Sequence, residues 1–464
     1  MKHLWQYSAN ELAKGIAAGT FTSTEVVRSH LDRISEVNPS LNAISCVLAD
    51  SALDAAADID AAVSAGRPLG PLAGVPITIK ENIDYTGSAT THGLPAFAEA
   101  VPVVNAPIVE RVLAAGAIPV GRTNLPDYAL RLHTDSALHG QTINPWNAAR
   151  TTGGSSGGEA AALASGMSPL GLGNDVGGSL RNPATCCGIA SIKPTQGVIP
   201  HAGTIPIEDE AISFQLMNSE GPMARRVADV RLGLQVLQGA HSRDTFSVTA
   251  AFNTVDRPLR IALMAEPPGG EVDARIATVT RKAAAALEAA GCIVTETLPP
   301  SFEEVVALWA ALLDNDIALA LPQLAPLFSA DALTFVNDFR GERGIPTLAS
   351  YATALAERAG LARQWARFFG EYDLLLSPTW TQLPFVAGWD IEKPGRAIET
   401  MQHARCVTPG NALGLPSACV PAGLVEGLPV GVLLTGARFS DHLCLDAADM
   451  VESALGLDTP INPR

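Results

Sequence analysis

The sequence predicts an α/β layered protein, and three observations carry that reading. Short apolar strands alternate with helices of small residues between positions 70 and 240. A strand, a long helix and a second strand follow one another between 260 and 297, the order of a βαβ-type excursion on a sheet. Aromatic residues make up only 5% of the chain while alanine and glycine abound, a composition suited to close packing of helices on a sheet.

Taken in order, residues 8–19 and 22–37 read as two helices, capped by Ser8 and by Thr22 or Ser23. Such a pair either packs on its own subunit, the simpler arrangement, or lies outside the core and serves a homodimer contact. Residues 51–66 read as an alanine-rich helix. The apolar run 75–79 reads as a buried strand that delivers Lys80 to a dry site. Residues 160–166 read as a short helix. Strands are expected at 260–263 and 293–297, flanking a helix over 272–290. Residues 301–372 are mostly helical and carry Trp309, Phe328, Phe335, Phe339, Trp365, Phe368 and Phe369. Residues 373–440 return to strands and tight turns. Trp146, fixed between Pro145 and Asn147, reads as a core anchor.

Composition narrows the function classes. Of the 464 residues 47% are hydrophobic and 17% charged, ample material for a large core. A net charge of −16 argues against binding nucleic acid or an anionic membrane. The N-terminus turns polar at once and lacks the apolar core of a signal peptide. No run of 18 or more apolar residues is evident, so no transmembrane helix is expected. Cys46, Cys186, Cys187, Cys292, Cys406, Cys419 and Cys444 are scattered and odd in number, as reduced core thiols of a cytoplasmic protein would be. No His-Glu-x-x-His helix and no cysteine pair with zinc spacing appears, so neither metal nor cofactor is expected.

The chemistry-bearing residues lie in two glycine-framed blocks, Gly153-Gly154-Ser155-Ser156-Gly157-Gly158 and Asp175-Val176-Gly177-Gly178-Ser179. With Lys80 they make the parts of a serine–lysine nucleophile system. Lysine serves as a base where its ammonium form is disfavoured, which desolvation achieves. Glycines let backbone N–H groups approach a reacting carbonyl, and Val176, Gly177, Gly178 and Ser179 supply such a row beside a serine hydroxyl. Three rivals stand beside this reading. A Gly/Ser linker would not run into an alanine-rich apolar stretch. A phosphate loop needs a Gly-Lys-Ser/Thr tripeptide, which is absent. Gly-x-Ser-x-Gly also matches a nucleophile elbow at Ser155 or Ser156, with His201, His241, His403 or His442 as its base, though none sits in a setting that marks it as one.

These blocks, with Gly74-Val75-Pro76-Ile77-Thr78-Ile79-Lys80-Glu81-Asn82, Gly121-Arg122-Thr123-Asn124, Lys193-Pro194-Thr195 and Gly221-Pro222-Met223, stand in the order found in the amidase signature family of serine hydrolases, which the chain resembles over roughly residues 70 to 435. The resemblance implies one domain over 1–464, with N-terminal helices over 1–66 and a catalytic core over 70–240. It implies a large mixed central sheet covered by helices on both faces. It implies Ser179 as nucleophile, Lys80 as base, and Ser155, in a cis peptide, as the proton carrier between them. Val176 to Ser179 become the oxyanion hole, and Ser156, Asp175 and Arg181 supporting residues. Asn174 stands where threonine is common and Leu433 where glutamine is often found; both departures are expected to touch substrate detail and local hydrogen bonding, not the reaction class.

The activity so implied is hydrolysis of a small apolar or aromatic carboxylic amide, to the acid and ammonia or an amine, through a Ser acyl-enzyme. Esters and carbamates are chemically similar targets. The alternative is the catalytic subunit of a glutamine-dependent aminoacyl-tRNA amidotransferase. Its polar glutamine-binding pattern is not evident in the sequence from Gln196 to His201. Residues around 305–345, with Leu130 to Leu138, are expected to line the substrate channel, while most of the aromatics of this stretch are expected to pack a peripheral helical layer.

Overall fold

Capping boxes set the first two helices. Ser8 accepts from the Glu11 N–H, and Glu11 reaches back to the Ser8 N–H, opening the helix Ala9–Ala17. Thr22 and Glu25 repeat the device at Ser23–Leu41. That second helix outruns its expected end and stops at Asn42, which takes the left-handed conformation. Both helices pack on their own subunit. The N–H groups of Ala9 and Asn10 donate to Asp229 at 3.1 and 2.9 Å, and Leu12, Ile16 and Val26 enter the core. The structure is a computed structural model and describes residues 3–207 and 209–464.

The described residues form thirteen strands: β1 (Ile44–Val47), β2 (Pro76–Lys80), β3 (Ile118–Thr123), β4 (Asp135–Ser136), β5 (Gly140–Gln141), β6 (Leu170–Asp175), β7 (Ala190–Lys193), β8 (Ser219–Ala224), β9 (Arg260–Leu263), β10 (Ile293–Glu296), β11 (Leu374–Pro378), β12 (Ser417–Val425) and β13 (Leu428–Gly436). β4 and β5 make a small hairpin. The other eleven form one sheet in the order β1-β3-β2-β6-β8-β7-β12-β13-β11-β9-β10. The sheet is mixed: β3, β2 and β6 run parallel, β6, β8 and β7 alternate, and β11, β9 and β10 are again parallel. The helix Ala274–Ala289 joins β9 to β10, so the expected βαβ unit is present.

Side chains alternate across each strand and sort into two apolar layers. Ile77, Ile79, Leu170, Leu172, Val432 and Leu434 pack on one face with Ile16, Val112, Leu234 and Leu445. Leu375 and Leu433 pack on the other with Leu180, Trp309, Phe335 and Trp365. Helices therefore cover both faces. Leu433 is wholly buried there and plays an apolar part. The same period turns Thr78 and Lys80 away from the Ile77/Ile79 layer, toward the helix Gly157–Ala164.

Residues 301–372 fold into helices Phe302–Leu324, Ala330–Arg340 and Leu348–Glu371. Phe302–Leu327 is long and apolar enough to cross a membrane by length and composition, although half of its apolar stretch is buried inside the fold. Its Asp314 and Asp316 are buried too: Asp314 pairs with Arg340 at 3.1 Å, and Asp316 accepts from the Ser213 N–H and the Tyr351 hydroxyl. All seven cysteines are free, and all but Cys46 are buried. Trp146 is buried, its indole N–H donating to the Cys187 carbonyl at 2.8 Å.

Candidate active site

Lys80 ends β2, and the neighbouring parallel strand β6 ends at Asp175, so both residues emerge at the carboxyl edge of the sheet. The Lys80 amine is fully buried and lies 2.8 Å from Ser155 Oγ and 2.8 Å from Asn174 Oδ1. Burial brings its pKa down from 10.5 to about 7, while Glu220, Asp175 and Glu159 pull the other way. Ser155 follows a cis peptide from Gly154. A Cβ on Gly154 would lie 2.5 Å from the Arg131 carbonyl, so only glycine fits that close approach.

The turn after β6 is held by one carboxylate. Asp175 is fully buried and accepts from the N–H groups of Gly178 (2.7 Å) and Leu180 (3.1 Å), from Asn411 Nδ2 (2.8 Å) and from two nitrogens of Arg181 (both 2.9 Å). Burial opposes its ionisation, but Arg181 and Asn411 overcome that and hold its pKa at about 2. Gly178 has φ of 100°, and a Cβ there would meet Asn182 and Val407 at 2.5 Å. Asn182 donates to the carbonyls of Gly177 and Gly154, joining the two glycine loops, and Trp380 donates to Asn182.

The four N–H groups of the expected oxyanion row differ in their partners. The Gly178 N–H is committed to Asp175, whereas those of Val176, Gly177 and Ser179 have no protein acceptor among the described residues.

Ser155 and Ser179 line one cavity. Its wall includes Tyr128, Leu130, Val176, Phe214, Ile317, Leu321 and Phe328. Leu130, Ile317 and Phe328 belong to the expected channel. Trp309, Phe335 and Phe339 instead line a smaller apolar cavity on Ser179 with Leu132, whereas Trp365 and Phe369 pack in the core. Gly203, Ile205, Pro206, Ile207, Ala211 and Asn218 add to the wall, a stretch of which sequence reasoning had singled out only His201. The fold-back of this stretch beside the serines depends on contacts distant in sequence, such as Asp84 accepting from Thr204 and Asp316 from Ser213.

The elbow arrangement is not assembled. Ser156 Oγ is buried without a partner among the described residues. His241 bonds Glu110, His403 stacks on Trp389, and His442 packs on Phe252. His201 does reach the cavity, but Glu210 and Glu220 occupy both its ring nitrogens. Burial alone would lower the His201 pKa; the two carboxylates override it and hold the pKa well above the ordinary value. A second buried lysine, Lys193, bonds the Pro194 carbonyl and Ser219. Asn174 bonds the Lys80 amine directly and exchanges two hydrogen bonds with Asn82.

The family model described as Amidase matches residues 25–445. The chain belongs to the amidase family. It is a hydrolase acting on amide C–N bonds. This amidase is 38% identical over 459 residues to an indoleacetamide hydrolase of Bradyrhizobium diazoefficiens, covering 98% of this chain and 87% of that protein. It is 33% identical over 474 residues to one of the subunits of the glutamyl-tRNA(Gln) amidotransferase of Symbiobacterium thermophilum, covering 95% of each. The amidase also superposes on a bacterial aryl acylamidase of the amidase signature enzymes with a TM-score of 0.83 and 26% identity, over 97% of this chain and 96% of that one. Against 6-aminohexanoate cyclic dimer hydrolase the TM-score is 0.84 at 28% identity, with 98% of each chain covered.

Proposed function

We propose that this amidase cleaves a small apolar or aromatic carboxylic amide through an acyl-enzyme on Ser179. The observation that carries the proposal is the wholly buried Lys80 amine bonded to Ser155, whose hydroxyl shares a cavity with Ser179. With its pKa brought to about 7 by burial, Lys80 is substantially neutral at physiological pH. It takes the Ser155 proton as Ser155 takes that of Ser179, and Ser179 Oγ bonds to the amide carbon. The oxygen that gains charge is received by the N–H groups of Val176, Gly177 and Ser179. On collapse the C–N bond breaks, and the proton returns through Ser155 to the departing nitrogen. Water then attacks the ester, giving up its proton along the same relay, and the acid leaves with Ser179 restored.

The cavity wall favours an apolar acyl group: Tyr128, Leu130, Phe214, Ile317 and Phe328 face it. The indoleacetamide hydrolase relative makes a planar arylacetamide the first substrate to try. The amidotransferase relatives favour glutamine as a second reading. Against it, no lysine or arginine stands among the described residues lining this cavity to receive the glutamine α-carboxylate, while Glu210 and Asp316 do line it.

The test is the initial rate on indole-3-acetamide, phenylacetamide, an anilide and free glutamine, with Ser179→Ala and Lys80→Met alongside. Turnover of an aryl amide that both substitutions abolish, with glutamine inert, is expected. Activity surviving either substitution would overturn the residue assignment, and a preference for glutamine would overturn the substrate class.

A further inference from the structure

Antiparallel register sets Asn174 of β6 opposite Glu220 of β8. Residues directly opposite share a face of the sheet, so Glu220 stands beside the side chain that holds the Lys80 amine. Glu220 is the one charged residue of β8, whose sequence is otherwise Ser219, Gly221, Pro222, Met223 and Ala224. It is buried, with 4% of its surface exposed. Its Oε1 accepts from His201 Nδ1 at 2.6 Å, and its Oε2 has no partner among the described residues. His201 is held on its other side by Glu210 at 2.9 Å. A buried carboxylate satisfied on one oxygen only is costly to keep, and nothing in the packing of β8 requires it.

Asn174 adds a directional constraint. An amide oxygen only accepts, so the Lys80 amine keeps an N–H on Asn174 whether charged or neutral. In the neutral amine the lone pair is then free for the Ser155 hydroxyl. Asn82, exchanging two hydrogen bonds with Asn174, restrains the amide plane that does this.

We propose that Asn174 and Glu220 are positioning residues for amide cleavage: Asn174 turns the Lys80 lone pair toward Ser155, and the Glu220–His201 pair sets how firmly the amine holds a proton. The inference rests on Lys80 being the base. The charged or titratable groups facing Lys80 are Glu220 from β8, Asp175 from the end of β6, Glu159 from the helix Gly157–Ala164, and His92. Asp175 is neutralised by Arg181. Burial pushes Glu159 up to about 7 and lowers His92 to about 4. Glu220 is thus the buried carboxylate near Lys80 whose hydrogen-bond partner among the described residues, His201, lies outside the relay.

The experiment is the pH profile of kcat/KM on the best aryl amide. Glu220→Gln keeps the acceptor for His201 but removes the charge, so the ascending limb should move to lower pH by about 1 unit. His201→Gln removes the counter-charge and should move the limb to higher pH. Asn174→Leu should lower the plateau by about tenfold or more, and Asn174→Thr, which keeps an acceptor, should restore most of it. A limb unmoved in both charge variants overturns the tuning role even if one of them folds poorly. Equal plateaus for Asn174→Leu and Asn174→Thr overturn the aiming role. Lys80→Met separates the two levels: retained turnover there removes the base assignment, whereas lost turnover with unmoved limbs removes only this inference.

Discussion

Lys80→Met should abolish amide cleavage and also change how the stability of the protein depends on pH. Methionine has a similar length and accepts apolar surroundings. In the folded protein the Lys80 pKa is brought down from 10.5 to about 7 by burial; unfolding restores the ordinary value. Between those two values the unfolded chain binds more protons, so this residue makes stability rise as pH climbs from 7 to 10.5. Below 7 both states hold the proton and the full cost is present, about 5 kcal/mol. Above 10.5 it vanishes. The variant has no such group, but it leaves Ser155 Oγ and Asn174 Oδ1 without their Lys80 partner, at about 1–3 kcal/mol each. These terms nearly offset one another at neutral pH, so the slope is the readout. Lys193, buried with a pKa also lowered to about 7, contributes equally to both proteins and drops out of the difference. The assay is the urea midpoint by tryptophan fluorescence from pH 7 to 10, the chain having six tryptophans. The parent should gain on the variant steadily over that range. A constant difference would mean that Lys80 is not held neutral by burial, and the base assignment would lose its physical ground.

Other outcomes follow from the same geometry. The parent's kcat/KM should rise through about pH 7 as Lys80 loses its proton, and an optimum below pH 6 would contradict this. Gly178→Ala puts a Cβ 2.5 Å from Asn182 and Val407 at φ of 100°, so steady-state assays should show kcat down by about 100-fold or more through the displaced donor row. Asp175→Asn leaves Arg181 buried without its counter-charge and should cost about 3–5 kcal/mol in urea unfolding; a loss under 1 kcal/mol would show the pair is dispensable. Phe214→Ala, opening the wall of the serine cavity, should raise KM for an aryl amide while leaving that for acetamide nearly unchanged.

Much of the fold was readable because it rests on local rules. Ser8 and Thr22 announce their helices through glutamates three residues on, and the apolar run before Lys80 marks a buried strand whatever surrounds it. The glycine blocks were readable for a similar reason: close backbone approach and positive φ exclude other residues, as at Gly154 and Gly178. The partners of Asn174 were not legible because a threonine or an asparagine at the end of a strand carries no local signal. Its importance comes from Lys80 on β2 and Asn82 beyond it, which only strand pairing brings close. The bond from the Gly178 N–H to Asp175 was not legible, because it depends on where the Asp175 carboxylate points in the folded turn.

By itself the sequence determined the amidase family, the layered α/β class, and the residues Lys80, Ser155 and Ser179 as candidates for the chemistry. Those features depend on short-range spacing and on residue types few others can replace. Tertiary structure decided which N–H groups are free to meet an oxygen, which aromatics face the cavity and which pack in the core. It also decided that His201, Glu210 and Glu220 gather beside the serines. These outcomes are set by how eleven strands are ordered and by segments folding back across a hundred or more residues, contacts that no local pattern encodes.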